Sequence, residues 1–422
     1  MEAVAGLDIG SSHIVVAAAV SSSRTPADPF GGDLKFGYAG SMGIRRGWVN
    51  DVPSLGRSIS EALKMAESVA GVKIQSVYLG IPGHTVEFEI KKSGNVIGKG
   101  RRVTHQDIER VKRLALVSDL PPGRRVIQVM PVEYTVDGAP ALGEPSGLSC
   151  SRLDLQSIVI TADNQLVENL VEAANGAGIR VLDYLPSSLA VGEVVIKKAQ
   201  RQLGAALIDI GSSSTSIVFY NHGKPLGFEV LPLGSDHITS DLAICLRTTL
   251  EGAEEVKRKI GLGPDKPFQP EGTGEGGAVN TISVPRLSGS GFNEAPLETA
   301  VSIIEARVSE ILDMVKLSLV RLSGGCDLPG GLTLTGGGSQ LKGLDIFTSK
   351  YIGCQVDMRA LNNAQGGASE SVGETNTDLT VNVAGAAGLL KYFFKTGSVA
   401  KAGQHQPQDL WSKVRGIFRV SK

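Results

Sequence analysis

Apolar positions along the chain follow two periods. Four stretches place apolar residues three or four positions apart, as in an amphipathic helix: residues 55–70, 104–117, 163–175 and 297–322. Thr104 with Asp107 predicts a capping box at the second helix, and Asp163 predicts the N-cap of the third. Short β-branched runs between the helices are typical of strands, so the mixture predicts an α/β fold.

One short motif occurs twice. Residues 5–16 read AGLDIGSSHIVV and residues 206–218 read ALIDIGSSSTSIV. In each copy an apolar run precedes Asp-Ile-Gly-Ser-Ser and a β-branched run follows, which predicts two strands joined by a tight turn. The two copies lie about 200 residues apart, and such long-range self-similarity indicates two related halves.

Both turns carry groups that suit a phosphate. Glycine lets the backbone come close to a ligand, and serine hydroxyls with successive N–H groups form a concave donor surface. The predicted phosphate contacts are Gly10, Ser11, Ser12, His13, Gly211, Ser212, Ser213 and Ser214. Asp8 and Asp209, at the strand ends, are candidate Mg²⁺ ligands through water. A single copy would favour an ordinary hairpin; two copies with the same acid favour a shared nucleotide site.

A third glycine-rich turn follows later in the chain. Residues 332–344 (LTLTGGGSQLKGL) predict a strand, the turn Gly336, Gly337 and Gly338, and a helix from Ser339. Bare backbone before a helix N-terminus suits an anion or a flat adenosine group, although such a turn also occurs without a ligand. No Walker motif is present. A G-x-G-x-x-G match at Gly272, Gly274 and Gly277 has no preceding strand and is interpreted as chance.

Composition narrows the classes of function. The formal net charge of −1 argues against a nucleic-acid partner. The four cysteines form no Cys-x-x-Cys pair, so a zinc ribbon or redox motif is not expected. The start lacks a signal-peptide pattern, and no apolar run reaches the ~20 residues of a spanning helix. These features predict a cytoplasmic protein that contacts a membrane, if at all, from one side.

Two segments rich in polar residues and glycine interrupt the pattern. Residues 261–296 are predicted to be a long loop or a partly disordered insertion, and residues 396–408 a flexible linker. Residues 409–422 (DLWSKVRGIFRVSK) then return to helical spacing. Their apolar stripe is Leu410, Trp411, Val414, Ile417 and Phe418, flanked by four basic residues. Such a helix is typical of the headgroup zone of anionic lipids. The alternative is a helix docked on the protein's own core, which the polar linker before it disfavours.

The order of phosphate turn, second phosphate turn and glycine-rich adenosine turn resembles the actin, Hsp70 and sugar-kinase superfamily. The finer resemblance is to the FtsA family of bacterial cell-division actin homologues. It is carried by GSMGIRRGWVNDV (40–52), SVYLGIPGHTVEFE (76–89), VIQVMPVEYTVDG with PSGLSCSRL (126–153) and VNVAGAAGLLKYF (381–393). It covers most of the chain.

The resemblance implies an actin-like, duplicated ribonuclease-H-like ATPase fold with an inserted SHS2-type subdomain, 1C. The implied subdomains are 1A (1–82 and 164–195, with the closing helix 381–394), 1C (83–163), 2A (196–235 and 325–380) and 2B (236–324). The linker 395–408 and the membrane helix 409–422 follow. By the superfamily's Glu-x-x-Lys pattern, Glu254 and Lys257 are candidate adenosine contacts; an i,i+3 ion pair on a solvated helix face is the competing interpretation.

The family resemblance also implies a function. The chain is expected to bind ATP and Mg²⁺, to form filaments with itself, and to tether the FtsZ ring to the cytoplasmic face of the cell membrane at the division site. Other division proteins and anionic lipids are the further expected partners. The alternatives are an actin-fold kinase, which needs a catalytic acid that does not stand out, and a pilus-assembly ATPase-like protein.

Three positions depart from the superfamily pattern. His13 replaces a common lysine, Ser216 stands where relatives often carry an acid, and Leu185 precedes Pro186 where Hsp70-like relatives carry glutamate. Leucine cannot orient a water molecule for attack on a phosphate. Weak or absent ATP hydrolysis is therefore expected, and no catalytic residue is assigned.

Overall fold

The computed structural model describes residues 3–19, 34–116, 120–262, 281–287, 290–359 and 383–396. The chain divides into two compact units. The first comprises Met1–Ile9, Ile14–Ala190 and Leu389–Lys422, and the second comprises Gly10–His13 and Val191–Gly388. Two units are a coarser division than the four predicted subdomains, which stay a prediction.

Strands are numbered in chain order. They are β1 (Ala3–Ile9), β2 (His13–Ala19), β3 (Leu34–Gly40), β4 (Ile44–Arg45), β5 (Trp48–Val49), β6 (Ile74–Ile81), β7 (Glu87–Arg102), β8 (Arg124–Val136), β9 (Ala139–Pro140), β10 (Ser149–Asp163), β11 (Arg180–Pro186), β12 (Ala205–Ile210), β13 (Thr215–Asn221), β14 (Lys224–Leu231), β15 (Thr281–Pro285), β16 (Phe292–Pro296), β17 (Leu332–Thr335) and β18 (Val356–Met358).

The α-helices within the described residues are numbered in the same way. They are α1 (Val52–Ala70), α2 (His105–Leu114), α3 (Asn164–Gly176), α4 (Ser187–Val195), α5 (Lys198–Leu203), α6 (Ser235–Leu246), α7 (Leu250–Ile260), α8 (Leu297–Ser323), α9 (Leu344–Ile352) and α10 (Ala384–Lys395). By chain position, α4 and α10 each span the boundary between the units.

The main sheets of the two units repeat one topology. The first unit has the strand order β11-β6-β1-β2-β3, and the second has β18-β17-β12-β13-β14. In the first unit, β1 pairs antiparallel with β2 and parallel with β6. In the second unit, β12 pairs antiparallel with β13 and parallel with β17. The sequence repeat is therefore a structural duplication, and it places the two Asp-Ile-Gly-Ser-Ser turns at equivalent positions in the two sheets.

A smaller sheet is inserted in the first unit between β6 and α3. Its strand order is β7-β10-β8-β9, and α2 packs on it. Ile108 and Val111 of α2 are fully buried with Leu153 and Leu155 of β10 in a core of its own. Burial of that apolar face stabilises the insert as a separate layer.

The helix starts follow their predicted caps. Thr104 and Asp107 form the capping box of α2, and the Asp163 side chain accepts a hydrogen bond from Leu166 N at the start of α3. All four predicted helices are confirmed, although α2 ends at Leu114 rather than at residue 117. The hydrogen bonds of these caps satisfy backbone donors that a helix leaves open in its first turn.

Two predictions of local structure are wrong in part. The segment 261–296 is not loop throughout, because β15 and β16 pair antiparallel, Val284 opposite Asn293, and bury Val284 against the second unit's core. The helix expected from Ser339 is a 3₁₀ turn, Gly337–Gln340, and the α-helix begins only at Leu344. Residues 263–280, with the chance G-x-G-x-x-G match, lie outside the described residues.

Replacing Asp107 with asparagine tests the insert's electrostatics. Hydrogen bonds from Arg101 and Thr104 lower the pKa of Asp107 from 3.8 to about 2. Because the folded-state pKa lies below the unfolded value, this contribution is present above about pH 4 and is lost as the pH falls towards 2. Asp107→Asn should lower the free energy of unfolding by about 1–2 kcal/mol at pH 7, and this difference should shrink below pH 4.

Chemical unfolding at a series of pH values measures this difference. Glu109→Gln, on the same helix, is the control, because Glu109 is half-exposed and its ion pair with Lys112 is partly open to solvent. An equal effect of Asp107→Asn at pH 7 and pH 2.5 would contradict the assignment.

Candidate functional site

The two repeated turns have the same backbone geometry. Gly10 N donates to His13 O at 3.0 Å, and Gly211 N donates to Ser214 O at 2.9 Å. A Cβ on Gly10 would lie 3.0 Å from His13 O, and one on Gly211 would lie 3.1 Å from Ser214 O. In each turn the glycine N–H closes the turn with a hydrogen bond, and the absence of a Cβ leaves the glycine backbone uncovered.

The structure brings the two turns together within the second unit. The turn Gly10–His13 groups with that unit rather than with the rest of its own strands. The hydroxyls of Ser11 and Ser213 lie 3.2 Å apart, in hydrogen-bond contact. Two serine-bearing turns therefore share one location, and the ring of His13 is exposed beside it.

The start of α6 closes the turn that follows β12. Ser235 N donates to Gly211 O at 3.0 Å and Asp236 N donates to Ser212 O at 2.8 Å. A Cβ on Gly234 would come within 2.5 Å of Ser212 O, so glycine is required at this contact. Gly234 and Ser235 are not among the site residues predicted from the sequence. The signal for them was a glycine directly before a helix start, at Leu233-Gly234-Ser235.

The turn after β17 lies against the end of β12. Gly336 has a φ of 88°, and a Cβ there would lie 2.4 Å from Ile210 O and 2.5 Å from Asp209 Oδ1. Gly337 is exposed, with nothing within 4 Å of a Cβ. Beside them, Thr335 is paired in register with Asp209, and its buried hydroxyl has no hydrogen-bond partner among the described residues. The predicted phosphate and adenosine turns are therefore neighbours.

Glu254 and Lys257 on α7 join the same cluster. Lys257 Nζ lies 2.6 Å from Glu254 Oε2, and it donates to Thr239 Oγ1 at 2.8 Å and to Ser235 O at 3.3 Å. The ion pair forms as expected, but Lys257 is buried rather than solvated. Burial alone would raise the pKa of Glu254, but hydrogen bonds from Lys257 and Thr239 hold it below its ordinary value.

Asp8 lies in the first unit, at the end of β1. Ser187 Oγ donates to Asp8 Oδ1 at 2.6 Å. Burial raises the pKa of Asp8 because it removes water from the carboxylate, and the hydrogen bond from Ser187 opposes this shift. Among the described residues, no group of three or more His, Cys, Asp or Glu side chains forms a metal cluster. A cation at Asp8 or Asp209 would accordingly keep most of its water ligands, as Mg²⁺ commonly does.

Other predicted positions fall elsewhere. The membrane residues Leu410–Phe418 lie outside the described residues. Leu185 is fully buried at the end of β11 and presents no polar group. None of the described helices is long and apolar enough to span a bilayer.

Two clefts in the described part of the chain lie away from the glycine turns. One, of about 690 Å³, lies beside Arg180, and the other, of about 290 Å³, lies beside Arg307.

Solved structures share this architecture. The PilM-PilN type IV pilus biogenesis complex matches with a TM-score of 0.64 and 20% identity, covering 91% of this chain and 96% of that one. MreB5 of Spiroplasma citri, bound to ADP, matches with a TM-score of 0.52 and 13% identity, over 96% and 99% of the two chains. With its duplicated sheets and paired glycine turns, the chain is a protein of the actin-like fold.

Sequence comparisons narrow this class. The model for "Cell division protein FtsA" matches residues 206–378, and that for "SHS2 domain inserted in FTSA" matches residues 84–161, the inserted sheet. FtsA of Bacillus subtilis (strain 168) is 31% identical over 73% of this chain and 68% of its own. FtsA of Pseudomonas aeruginosa is 30% identical over 81% and 78%. The chain belongs to the FtsA family of cell-division proteins, and the likeness to PilM is one of fold.

Gly336→Ala tests the contact between the third glycine turn and β12. The new Cβ would meet Asp209 Oδ1 and Ile210 O at under 3 Å with φ at 88°. We expect a loss of about 1–3 kcal/mol in unfolding free energy, measured by denaturant titration. Gly337→Ala is the matched control, with open space around its Cβ. Equal stability of the two variants would show that Gly336 does not approach β12 as described.

Proposed function

We propose that this FtsA-family chain binds ATP with Mg²⁺ through its three glycine turns, assembles into filaments, and tethers FtsZ polymers to the cytoplasmic face of the membrane at the division site. The observation that carries the nucleotide part is the glycine cradle of the second unit. There, the start of α6 donates two backbone hydrogen bonds to the Gly211 turn, and the Gly336 turn lies against the end of β12 directly before that turn, where a Cβ on Gly336 would be 2.4 Å from Ile210 O.

The cradle fits a phosphate chain for a physical reason. Glycine backbone at Gly10, Gly211 and Gly337 admits phosphate oxygens close to N–H donors, and serine hydroxyls add further donors. The N-terminus of α6, next to the Gly211 turn, contributes partial positive charge. MreB5, of the same fold, is described with ADP and, in a second structure, with AMPPNP, which supports a nucleotide as the ligand.

Glu254 and Lys257 are the proposed adenosine contacts. Their ion pair is bonded to Thr239 and Ser235, and Ser235 lies beside Gly338, where a Cβ would come within 3.0 Å of the Ser235 Cβ. The pair is therefore fixed in place next to the glycine turn before any ligand binds, and pre-ordered groups bind at a lower entropic cost.

Asp8 and Asp209 are each proposed as a Mg²⁺ contact. Both are carboxylates at equivalent strand ends, which suits a hard cation that keeps its water ligands. The bound ion would offset the charge of the phosphates. Leu185, buried and apolar, offers no group to orient an attacking water, so we propose weak or absent hydrolysis.

Membrane attachment is assigned to residues 409–422. A single amphipathic helix binds a bilayer reversibly, so a filament that presents many such helices would bind far more strongly through multivalency. A double helical filament is described for MamK, which has the same fold with a TM-score of 0.50 and 12% identity. Family membership supports FtsZ and other division proteins as the partners.

Asp209→Ala tests the nucleotide site. Loss of the carboxylate should weaken Mg²⁺-ATP binding by roughly tenfold or more, because hydrogen bonds to charged groups contribute about 1.5–3 kcal/mol. A fluorescent ATP analogue titrated in Mg²⁺ measures this affinity. Asp327→Ala, at an exposed aspartate of the same unit, is the control. Unchanged affinity in Asp209→Ala would remove this residue from the site.

Trp411→Glu with Phe418→Glu tests the membrane helix. Two carboxylates on the apolar stripe should abolish co-sedimentation with anionic vesicles in the presence of ATP, because charged groups resist burial among lipid chains. Ser412→Glu with Gly416→Glu is the matched control, since it adds the same charge on the opposite face of the predicted helix. Vesicle binding that survives the first pair, or that is lost equally in both pairs, would argue against insertion of this stripe.

A further inference from the structure

Asp8 is held by a residue that no sequence motif identified. Ser187, the first residue of α4, donates its hydroxyl to Asp8 Oδ1 at 2.6 Å across 179 positions of sequence. Among the described residues, this is the one hydrogen bond that the Asp8 carboxylate accepts, and its Oδ2 accepts none. One oxygen of the carboxylate is thus bound by the protein, while the other is left for a further partner.

The bond has to pass over the strand that separates the two residues. In the first unit's sheet, β6 lies between β1 and β11, and all three strands run parallel. Asp8 is near the carboxyl end of β1, and Ser187 directly follows β11. A side chain on β6 at this level would stand between them.

Gly80 occupies that position on β6. It is paired in register with Leu185, and a Cβ built on it would lie 2.7 Å from Ser187 Oγ and 2.8 Å from Asp8 Oδ1. Any other residue would push the hydroxyl and the carboxylate apart. Glycine inside a strand commonly marks a close approach of other groups, and here those groups are Asp8 and Ser187.

The neighbouring serine behaves differently. Ser188 is also buried, but its hydroxyl has no hydrogen-bond partner in the described part of the chain. Leu185 and Pro186, the two residues before α4, carry no polar side chain. Of the four residues 185–188, Ser187 is therefore the one whose side chain makes a polar contact with Asp8.

We propose that Ser187 is a positioning residue of the nucleotide site, which holds Asp8 in one orientation so that Oδ2 stays available to a hydrated divalent cation. This inference rests on the proposed function and deepens it. A carboxylate fixed by a supporting hydrogen bond loses less rotational freedom when it meets the cation's water ligands. Gly80 is part of this arrangement, because it leaves the space that the hydrogen bond between Ser187 and Asp8 needs.

The test compares nucleotide affinity with and without the metal in the full chain. A fluorescent ATP analogue is titrated in Mg²⁺ and, separately, in EDTA, for the wild type, Ser187→Ala, Ser187→Thr and Ser188→Ala. Ser187→Ala should bind the analogue about five- to tenfold more weakly in Mg²⁺, and within about twofold of the wild type in EDTA. Ser187→Thr keeps the hydroxyl and should restore the wild-type value, and Ser188→Ala should not differ from it.

A second variant removes the contact without removing the hydroxyl. Gly80→Ala should lower the Mg²⁺-dependent affinity in the same way, and melting curves for every variant establish that the chain is folded. The inference is overturned if Ser187→Ala keeps its Mg²⁺-dependent affinity, or if it loses affinity equally in Mg²⁺ and EDTA. A wild-type chain that binds no Mg²⁺-ATP would refute the proposed function itself, whereas binding by the wild type with unchanged Ser187→Ala would refute only the role of Ser187.

Discussion

Close approach of backbone and side chain at the carboxyl ends of the central strands is the constraint on which the candidate site depends. Gly80 admits the contact between Ser187 and Asp8 in the first unit, and Gly336 admits the contact between β17 and Asp209 in the second. A methyl group at either position would lie under 3 Å from a carboxylate oxygen and from one further oxygen, so at least one of these groups would have to shift. Interiors packed at this density do not absorb such a change without strain.

The two units share a backbone arrangement, but the side chains around their equivalent aspartates differ. Both sheets have one strand order and both turns close with the same N–H to carbonyl bond. Asp8, however, is supported by a hydroxyl from the start of α4, whereas Asp209 lies against Gly336 and is paired in register with Thr335, whose hydroxyl has no partner among the described residues. Two equivalent carboxylates therefore have different surroundings, and equal roles for them do not follow from equal sequence.

The buried ion pair on α7 illustrates how polar groups specify the cluster. Lys257 is surrounded by Glu254, Thr239 and the carbonyl of Ser235, so its charge is compensated although it is removed from solvent. Removing one member of such a group leaves the others buried without partners, which costs more than the bonds themselves contribute. This network joins α6 to α7 and fixes the start of α6 beside the Gly211 turn.

The sequence alone determined the features that are local or repeated. The periodicity of apolar residues predicted the four helices, and Thr104 and Asp163 predicted the caps of two of them. The repeated Asp-Ile-Gly-Ser-Ser predicted the duplicated strand pairs. Short-range hydrogen bonding and alternation of burial fix each of these features. The tertiary structure decided what depends on distant residues. It paired β15 with β16 in a segment whose composition predicted loop, buried Lys257 on a helix face that looked solvated, and brought Ser187 to Asp8 across Gly80. No local pattern marks the contact of Ser187 with Asp8, since it arises only when strands far apart in sequence become neighbours in one sheet.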